Sequence, residues 1–433
     1  MRYLIPQVAV MSAELGGRIT RLNSDSLLPD ITSLVLSGKS AVWSRLVEPR
    51  IEAVIREAID LHDRVQGKGM QVEYVGPGVG DPHCGGRSAT QVVLADAVYY
   101  FKPGRTSKRA FMQACLQATG MDECMYLPPE IPLLDGYLQE SIDCAGMMVS
   151  DVDFWHRAGQ FAAIADCLSV TDIHYENVSS VRGAVALIDD ETILTASPAP
   201  RVRGILATLL LQDPSNAAHG VIAGFMASRS TGRSRNFPTI QESRPGAELT
   251  VRFTAYGQRQ QTSISREYGS ISDSLDTFLS GLRSGYRKIR ACRSLLEEVI
   301  ISHAPELRSR VIIDATASYR RLSAMVSTAP LDSSARDLED TLVDELVGVR
   351  RPFVPAGFIR SEANQLARGD VPFFVIDTTS HTVFDQWGPV GKVVRSPAAR
   401  SAVSIAGVDE DYIEQQCSVV SEHVHSLESN EQE

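Results

Sequence analysis

Between residues 172 and 189 the chain gathers polar groups of the kind that move phosphate. Asp172-Ile-His174-Tyr-Glu-Asn177 occupies one short segment, and Asp189 follows the apolar run Ala184-Val-Ala-Leu187, twelve residues beyond Asn177. Phosphoryl transfer from ATP needs a group that orients or deprotonates the acceptor hydroxyl. It also needs an Asn/Asp pair to hold Mg²⁺ against the phosphates. Asp172 and His174 leave the same side of an extended segment. Asn177 and Asp189 offer oxygens suited to Mg²⁺, a hard cation that keeps several waters and takes few protein ligands. Blander roles exist: Asp172 as a turn cap, His174 as a structural histidine, Asp189-Asp190-Glu191 as a solvated acidic turn. Three successive carboxylates after a buried strand repel one another unless a cation is near, which favours the metal reading. No G-x-x-x-x-G-K-[ST] occurs, so the site is not of the Walker type.

Three further clusters carry chemistry. Lys102 ends the apolar stretch Val98-Tyr-Tyr-Phe-Lys, where a two-lobed kinase places the lysine that holds nucleotide phosphates. Gly80-Asp81-Pro82-His83-Cys84-Gly85-Gly86-Arg87-Ser88 is rich in glycine, which permits close backbone approach to a ligand or simply a tight turn. Arg310-Val-Ile-Ile-Asp314-Ala-Thr316 reads as a strand with Arg310, Asp314 and Thr316 on one face. Arg310 can grip phosphate through its planar fork, or form an inert surface pair with Asp314. The basic stretch Arg229 to Arg235, with Arg201 and Arg203 before it, either steers an acidic peptide or is a soluble loop.

The elements that must position these groups follow from periodicity. Residues 40–66 carry a helical stripe (Ile51, Val54, Ile55, Ala58, Ile59, His62). Two strands flank a turn at Asp96, Arg109 to Gly120 is a helix, and a third strand begins at Gly136. Residues 151–170 form a helix facing inward with Phe154, Ala158, Phe161, Ile164 and Leu168, and 272–302 are helical with Leu275, Phe278, Leu279, Leu282, Tyr286 and Ile289 in register. The Pro-, Ser-, Arg- and Gly-rich stretch 196–243 reads as mobile. At 433 residues, 43% hydrophobic and 22% charged, the chain has room for two or three subdomains. Its net charge of −11 argues against nucleic-acid binding, and no run approaches membrane-spanning length. Residues 409–433 hold eight carboxylates and no Lys or Arg, which reads as a frayed acidic tail with one helix around Tyr412 to Val420. Seven scattered cysteines without C-x-x-C speak against disulfides or a zinc site, and a cytoplasmic location follows.

Taken in order, the clusters resemble the dehydratase region of class II lanthipeptide synthetases, the LanM type. The resemblance runs through Gly80-Asp81-Pro82-His83 with Gly86-Arg87-Ser88, Tyr100-Phe-Lys102-Pro103, Tyr137-Leu-Gln-Glu140, and Arg157-x-Gly159. It continues with Thr171-Asp172-x-His174-x-Glu176-Asn177, Leu187-Ile188-Asp189-x-Glu191-Thr192, Arg310 with Thr316 and Tyr319, and Gly369-Asp370-Val-Pro372-Phe-Phe374. It implies an enzyme that uses ATP and Mg²⁺ to phosphorylate Ser and Thr of a precursor peptide. The phosphate is then eliminated to leave dehydroalanine or dehydrobutyrine. Lys102, Asp172, His174, Asn177 and Asp189 would serve phosphorylation, with Asn177 and Asp189 on the metal. Lys102, Arg87 and Glu140 would contact the nucleotide. Arg310 and Thr316 would serve elimination, with Asp81 and His83 beside the shared site.

The implied fold is α+β, a two-lobed lipid-kinase-like core with additional helical elements. On that frame, residues 1–75 are an N-terminal helical segment, 76–145 the N-lobe, 146–245 the C-lobe, 246–408 a helical elimination region and 409–433 the tail. The chain departs from the pattern at Lys102-Pro-Gly104-Arg105, where Lys-Pro-Arg is usual, and at Asp314, where a second Arg is common. No zinc-binding cyclase region is expected, so ring closure would fall to a separate cyclase or partner protein. Two other outcomes are a peptide kinase that stops at the phosphorylated product and a non-catalytic precursor-binding subunit.

Overall fold

Alternation in Arg87-Ser-Ala-Thr-Gln-Val-Val-Leu94 puts Ser88, Thr90, Val92 and Leu94 on one face, and that face is buried. The structure, a computed structural model, describes residues 48–84, 87–95, 97–104, 106–142, 149–197, 204–211, 223–225, 235–242, 249–256, 263–314, 318–319, 322, 326, 335–350 and 354–429. Helix α1 (Glu48–Gly67) precedes β1 (Val72–His83), β2 (Arg87–Leu94) and β3 (Ala97–Pro103). Helix α2 (Arg109–Thr119) and the short β4 (Met125–Tyr126) lead into β5 (Glu130–Leu133) and β6 (Gly136–Glu140). Five of these strands form an antiparallel sheet in the order β1-β2-β3-β6-β5. One face is covered by α1, whose Ala58, Leu61 and Val65 pack with Val75, Val92, Phe101 and Leu138. In this sheet Lys102 pairs opposite Tyr137.

Helix α3 (Asp151–Cys167) starts at Ser150, whose side chain accepts from the Asp153 N–H, with Asp151 and Asp153 in the favourable first turn. After it come β7 (Val178–Val181) and β8 (Ala184–Leu187), an antiparallel hairpin whose β8 also pairs parallel with β4. The β9–β10 hairpin (Arg235–Glu242 and Leu249–Tyr256) and the short helix α4 (Ser263–Tyr268) precede α5 (Leu275–Ala291). Helices α3 and α5 cross at backbone contact. A Cβ on Gly281 would stand 2.0 Å from the His156 carbonyl oxygen, and one on Gly159 2.2 Å from that of Phe278. The inward faces meet the sequence expectation: Phe154, Ala158, Phe161, Ile164, Leu168, Phe278, Leu279, Leu282, Tyr286 and Ile289 are all buried. This crossing fixes the end of α3, from which the 171–177 segment departs.

The rest of the chain adds α6 (Arg293–His303), β11 (Arg308–Arg310), α7 (Ala335–Arg350), α8 (Ala356–Ala367), β12 (Val375–Asp377), β13 (Thr382–Phe384), β14 (Pro389–Lys392), α9 (Pro397–Ala406) and α10 (Glu410–Ser429). Strands β11 to β14 form a four-stranded sheet in sequential order. The fold is mixed α+β, with helices and several small sheets. Among the described residues no helix is long and apolar enough to cross a membrane.

Four expectations need correction. The helix expected around Tyr412 to Val420 is present and runs over Glu410–Ser429, so the described part of the carboxyl-terminal segment is no frayed tail. Helix α10 buries Ile413, Cys417, Val420 and Val424 in the main core, and the Tyr412 hydroxyl donates to buried Asp166 at 2.6 Å. Among the described residues the expected strand over 310–316 ends at Arg310, whose carbonyl accepts from the Thr195 hydroxyl at 2.5 Å; the Val311 N–H donates to the Phe374 carbonyl at 2.9 Å, and residues 315–316 lie outside the described residues. The 272–302 helix is two helices, broken at Cys292. Within 196–243, Ile205, Leu210, Leu211 and Phe225 are core residues, while Arg201, Arg203 and Arg229 to Arg233 lie outside the described residues.

Replacing Gly281 by Ala inserts a methyl where the two backbones touch. The expected loss is about 1–3 kcal/mol of unfolding free energy, read from urea denaturation; a change within about 0.5 kcal/mol would show that the crossing tolerates separation.

Candidate active site

The segment that leaves α3 is bent by Asp172, whose φ of 61° lies in the left-handed region. Asp is one of the few residues that visit that region without a glycine, because its short side chain bonds locally. The bend turns the Asp172 carbonyl toward the Asn177 side-chain amide, which donates to it at 2.9 Å. Asn177 Nδ2 also lies 3.0 Å from His174 Nε2 and 3.5 Å from Asp172 Oδ2, while His174 Nε2 stands 4.0 Å from Asp172 Oδ1. Asp172, His174 and Asn177 therefore form one polar cluster. Its back is supported by Ile173, whose N–H donates to the Thr208 carbonyl, and by Thr171, whose hydroxyl donates to that of Ala207.

Pairing in the β7–β8 hairpin brings the second half of the motif alongside. The Ile188 N–H donates to the Asn177 carbonyl at 2.9 Å, so Asp189 emerges at the same end of the hairpin as Asn177. From β3 of the five-stranded sheet, Lys102 Nζ donates to the Ile188 carbonyl at 3.1 Å and stands 3.8 Å from Asp189 Oδ1. The Lys102 side chain is 7% exposed.

Asp189-Asp190-Glu191 is not a solvated turn. Each carboxylate faces a different element. Asp189 faces Lys102 of β3. Asp190 accepts from the Tyr137 hydroxyl of β6 and from the Lys108 backbone N–H at 3.3 Å, in the loop before α2. Glu191, only 4% exposed in its side chain, accepts from Arg310 Nη1 at 2.5 Å. The residues after the turn are held on both sides. The Thr192 hydroxyl donates to the Thr171 carbonyl, the Ser309 hydroxyl to the Ile193 carbonyl, and the Arg310 N–H to the Glu191 carbonyl at 2.8 Å. Lys108 completes the joint: its ammonium donates to the Arg308 carbonyl and, at 3.1 Å, to the Ser309 hydroxyl. Burial pulls the Lys108 ammonium down to about 8, against the opposing pull of Asp190 and Glu191.

On the far side of Arg310 lies a second group. The Arg310 guanidinium carbon is 5.2 Å from the centroid of the Phe373 ring, and the His83 ring is 5.0 Å from the same centroid. His83 Nδ1 lies 2.8 Å from the Val371 carbonyl oxygen. A carbonyl can only accept, so Nδ1 carries a proton, and the tautomer compatible with this contact has its lone pair on Nε2.

The expected residues thus divide. Lys102, Asp172, His174, Asn177 and Asp189 are brought together, and Arg310 and His83 join them through Glu191 and Phe373. Asp81 lies in β1, two residues before His83. Arg87 is drawn elsewhere: it donates to Glu57 of α1 at 2.9 Å and to Asp135 at 3.3 Å, pinning helix to sheet. Glu140 pairs opposite Tyr99 and Tyr137 opposite Lys102, so the pleat points Glu140 and Lys102 to opposite faces. Asp314 accepts from the Ser318 hydroxyl at 3.1 Å. Thr316 lies outside the described residues.

Sequence reasoning passed over Lys108 and Glu130, and gave Phe373 no role beyond its place in the Gly369–Phe374 motif. A signal for Lys108 existed. It is the N-cap of α2, where the helix dipole disfavours a cation, so another demand must place it there. Glu130, first residue of β5, accepts from the Ser107 hydroxyl, and burial pushes its carboxyl up to about 7. The Ser107 bond opposes that rise, Asp190 adds to it, and Arg109 and Lys102 oppose it again.

The fold and the site together define an α+β protein whose acidic turn joins a lysine-bearing sheet to an arginine-bearing one. Residues 35–377 match the family described as Domain of unknown function (DUF4135), a domain found in LanM-type lanthipeptide synthetases, and the chain belongs to that family. No curated protein matches the chain.

Glu130 makes stability depend on pH. Its folded value of about 7 lies above the ordinary 4.5, so the native state keeps a proton that the unfolded chain releases. The contribution of Glu130 to stability therefore falls as pH rises from about 4.5 to about 7. Glu130→Gln removes that fall. The stability of the variant relative to the parent should climb across this window and level off above it; a flat difference would contradict the burial argument.

Proposed function

We propose that the chain is a lanthipeptide-type dehydratase. It would phosphorylate Ser and Thr of a ribosomally made precursor peptide with ATP and then eliminate phosphate, leaving dehydroalanine or dehydrobutyrine. One observation carries the reading. The turn 189–191 faces Lys102 through its first carboxylate and holds Arg310 through its last. Groups suited to adding a phosphate and to removing one therefore share a single loop. On this reading the core is a two-lobed, lipid-kinase-like frame, and the protein works in the cytoplasm, where ATP is supplied.

In the first half-reaction Asp172 accepts the proton of the Ser or Thr hydroxyl, and the His174–Asn177 pair holds that carboxylate in place. Lys102 holds the phosphates of ATP. The donor set fits Mg²⁺: an Asn amide oxygen and one carboxylate are the few protein ligands this ion takes beside phosphate and water. Among the described residues no group of three or more His, Cys, Asp or Glu forms a closed cage for another metal. Asn177 and Asp189 would hold Mg²⁺, which when bound neutralises charge on the phosphate oxygens.

In the second half-reaction a base takes the α-proton, the Cα–Cβ double bond forms, and the Cβ–O bond breaks. Phosphate leaves with the bonding electron pair. His83 Nε2, fixed as the basic nitrogen, suits the first role, and the Arg310 fork suits the leaving phosphate. Thr316 would assist Arg310, as the family resemblance implies.

A second reading has its own support. Glu191 already occupies an Arg310 Nη1 donor at 2.5 Å, which favours a kinase that stops at the phosphopeptide. Mass spectrometry of a precursor peptide incubated with ATP and Mg²⁺ separates the two. Loss of water is the expected outcome, a stable gain of phosphate supports the kinase, and an unchanged mass refutes both. Lys102→Met should slow phosphate transfer by about 100- to 1,000-fold.

A further inference from the structure

The segment Val371-Pro-Phe373-Phe374 is built as a template. The Val371 carbonyl holds His83 Nδ1 at 2.8 Å. Two residues on, the Phe373 ring meets both the His83 ring, at 5.0 Å and an interplanar angle of 42°, and the Arg310 guanidinium, at 5.2 Å. Phe373 is gripped from behind by Gln365 of α8, a fully buried side chain. Gln365 Oε1 accepts from the Phe373 N–H at 2.8 Å, and its Nε2 lies 3.5 Å from the Phe373 carbonyl and 3.2 Å from the Ser361 hydroxyl. Phe374 points the other way, into the core, edge-on to Phe358 at 5.6 Å. Its carbonyl accepts from the Val311 N–H at 2.9 Å, and the next residue, Val375, pairs with Arg310 itself. The same four residues therefore set the position of His83 and the path of the backbone that carries Arg310.

We propose that Phe373 is a positioning residue for phosphate elimination. Its ring, fixed by Gln365, sets the spacing between the imidazole that takes the α-proton and the guanidinium that receives the phosphate. An aromatic face suits both neighbours, because it attracts a guanidinium through its quadrupole and stacks with an imidazole. An aliphatic residue of similar bulk would fill the space and supply neither attraction. This role rests on the dehydratase reading of the site, and it concerns the second half-reaction.

Phe373→Leu and Phe373→Tyr test it, with a precursor peptide and its synthetic phosphoserine form as substrates. Phe373→Leu should slow phosphate release about tenfold more than it slows phosphate transfer. Phe373→Tyr, which keeps the ring, should restore release. Equal slowing of both steps, unslowed release in the Leu variant, or no rescue by Tyr would overturn the proposal. If the parent protein neither transfers nor releases phosphate, the dehydratase reading fails separately. The positioning claim is then decided by the ring-nitrogen NMR signals of His83 at neutral pH. The parent and the Tyr variant should show one sharp set of His83 ring signals, and the Leu variant shifted and broadened ones from a ring that has lost its packing partner. Unaltered His83 ring signals in the Leu variant would show that Phe373 does not hold the ring.

Discussion

Three carboxylates in a row cannot leave water together unless each finds its own counter-group, and this requirement organises the molecule. Like charges at such spacing repel, and each ion taken out of water costs several kcal/mol before any partner is counted. The chain meets the cost by sending the three side chains to three elements: Asp189 to Lys102, Asp190 to Tyr137 and the Lys108 N–H, and Glu191 to Arg310. None of those partners is close to the turn in sequence. The turn can exist only when the five-stranded sheet, the loop before α2 and β11 are all in place around it. Removing one partner of a buried pair such as Glu191–Arg310 strands the other, at about 3–5 kcal/mol. The joint is therefore rigid as well as charged.

Rigidity at the turn passes to the groups around it. The hydrogen bonds from Thr192 to Thr171 and from Leu194 to Leu168 zip the segment 192–194 onto the end of α3 and the residues just after it. Asp172 and Asn177 thereby keep a fixed relation to Asp189. Bonds on the other edge, from Ser309 and Arg310, do the same for β11 and, through Val311 and Phe374, for the segment that carries Phe373. Helix α3 is itself fixed by its glycine crossing with α5 and by Asp166, whose buried carboxylate accepts from Tyr286 at 2.7 Å and Tyr412 at 2.6 Å. Preorganised charge of this kind is what phosphoryl chemistry asks of a protein, since most of its catalysis is positioning and electrostatics.

Much of this was legible in the sequence because it is local. The inward stripe of α3, the β2–β3 hairpin and the D-x-H-x-x-N segment follow from period and spacing within twenty residues or so. Pairing across the β7–β8 hairpin then carries Asn177 to Asp189 without any long-range information. What could not be read depends on contacts between distant segments. Arg87 was expected at the nucleotide, yet a helix carboxylate, Glu57, thirty residues earlier, claims it. Glu140 was placed there as well, and the pleat of β6 turns it away from Lys102. The acidic terminus looked solvated because charge dominates its composition, but Ile413, Cys417, Val420 and Val424 form the stripe that the core buries. Lys108 showed only as an odd cation at a helix N-cap, and Phe373 only as one position of a quoted motif; their roles come from what lies across from them.

The central claim is that one turn serves both the transfer and the release of phosphate. Asp190 tests it most directly, because its hydrogen bonds go to Tyr137 and the Lys108 N–H and it anchors the turn between the other two carboxylates. An Asp190→Asn variant, followed through a single turnover with ATP, Mg²⁺ and a precursor peptide, should lose speed in both steps. Impairment of one step with the other at the parental rate would mean that the two chemistries do not depend on a common joint.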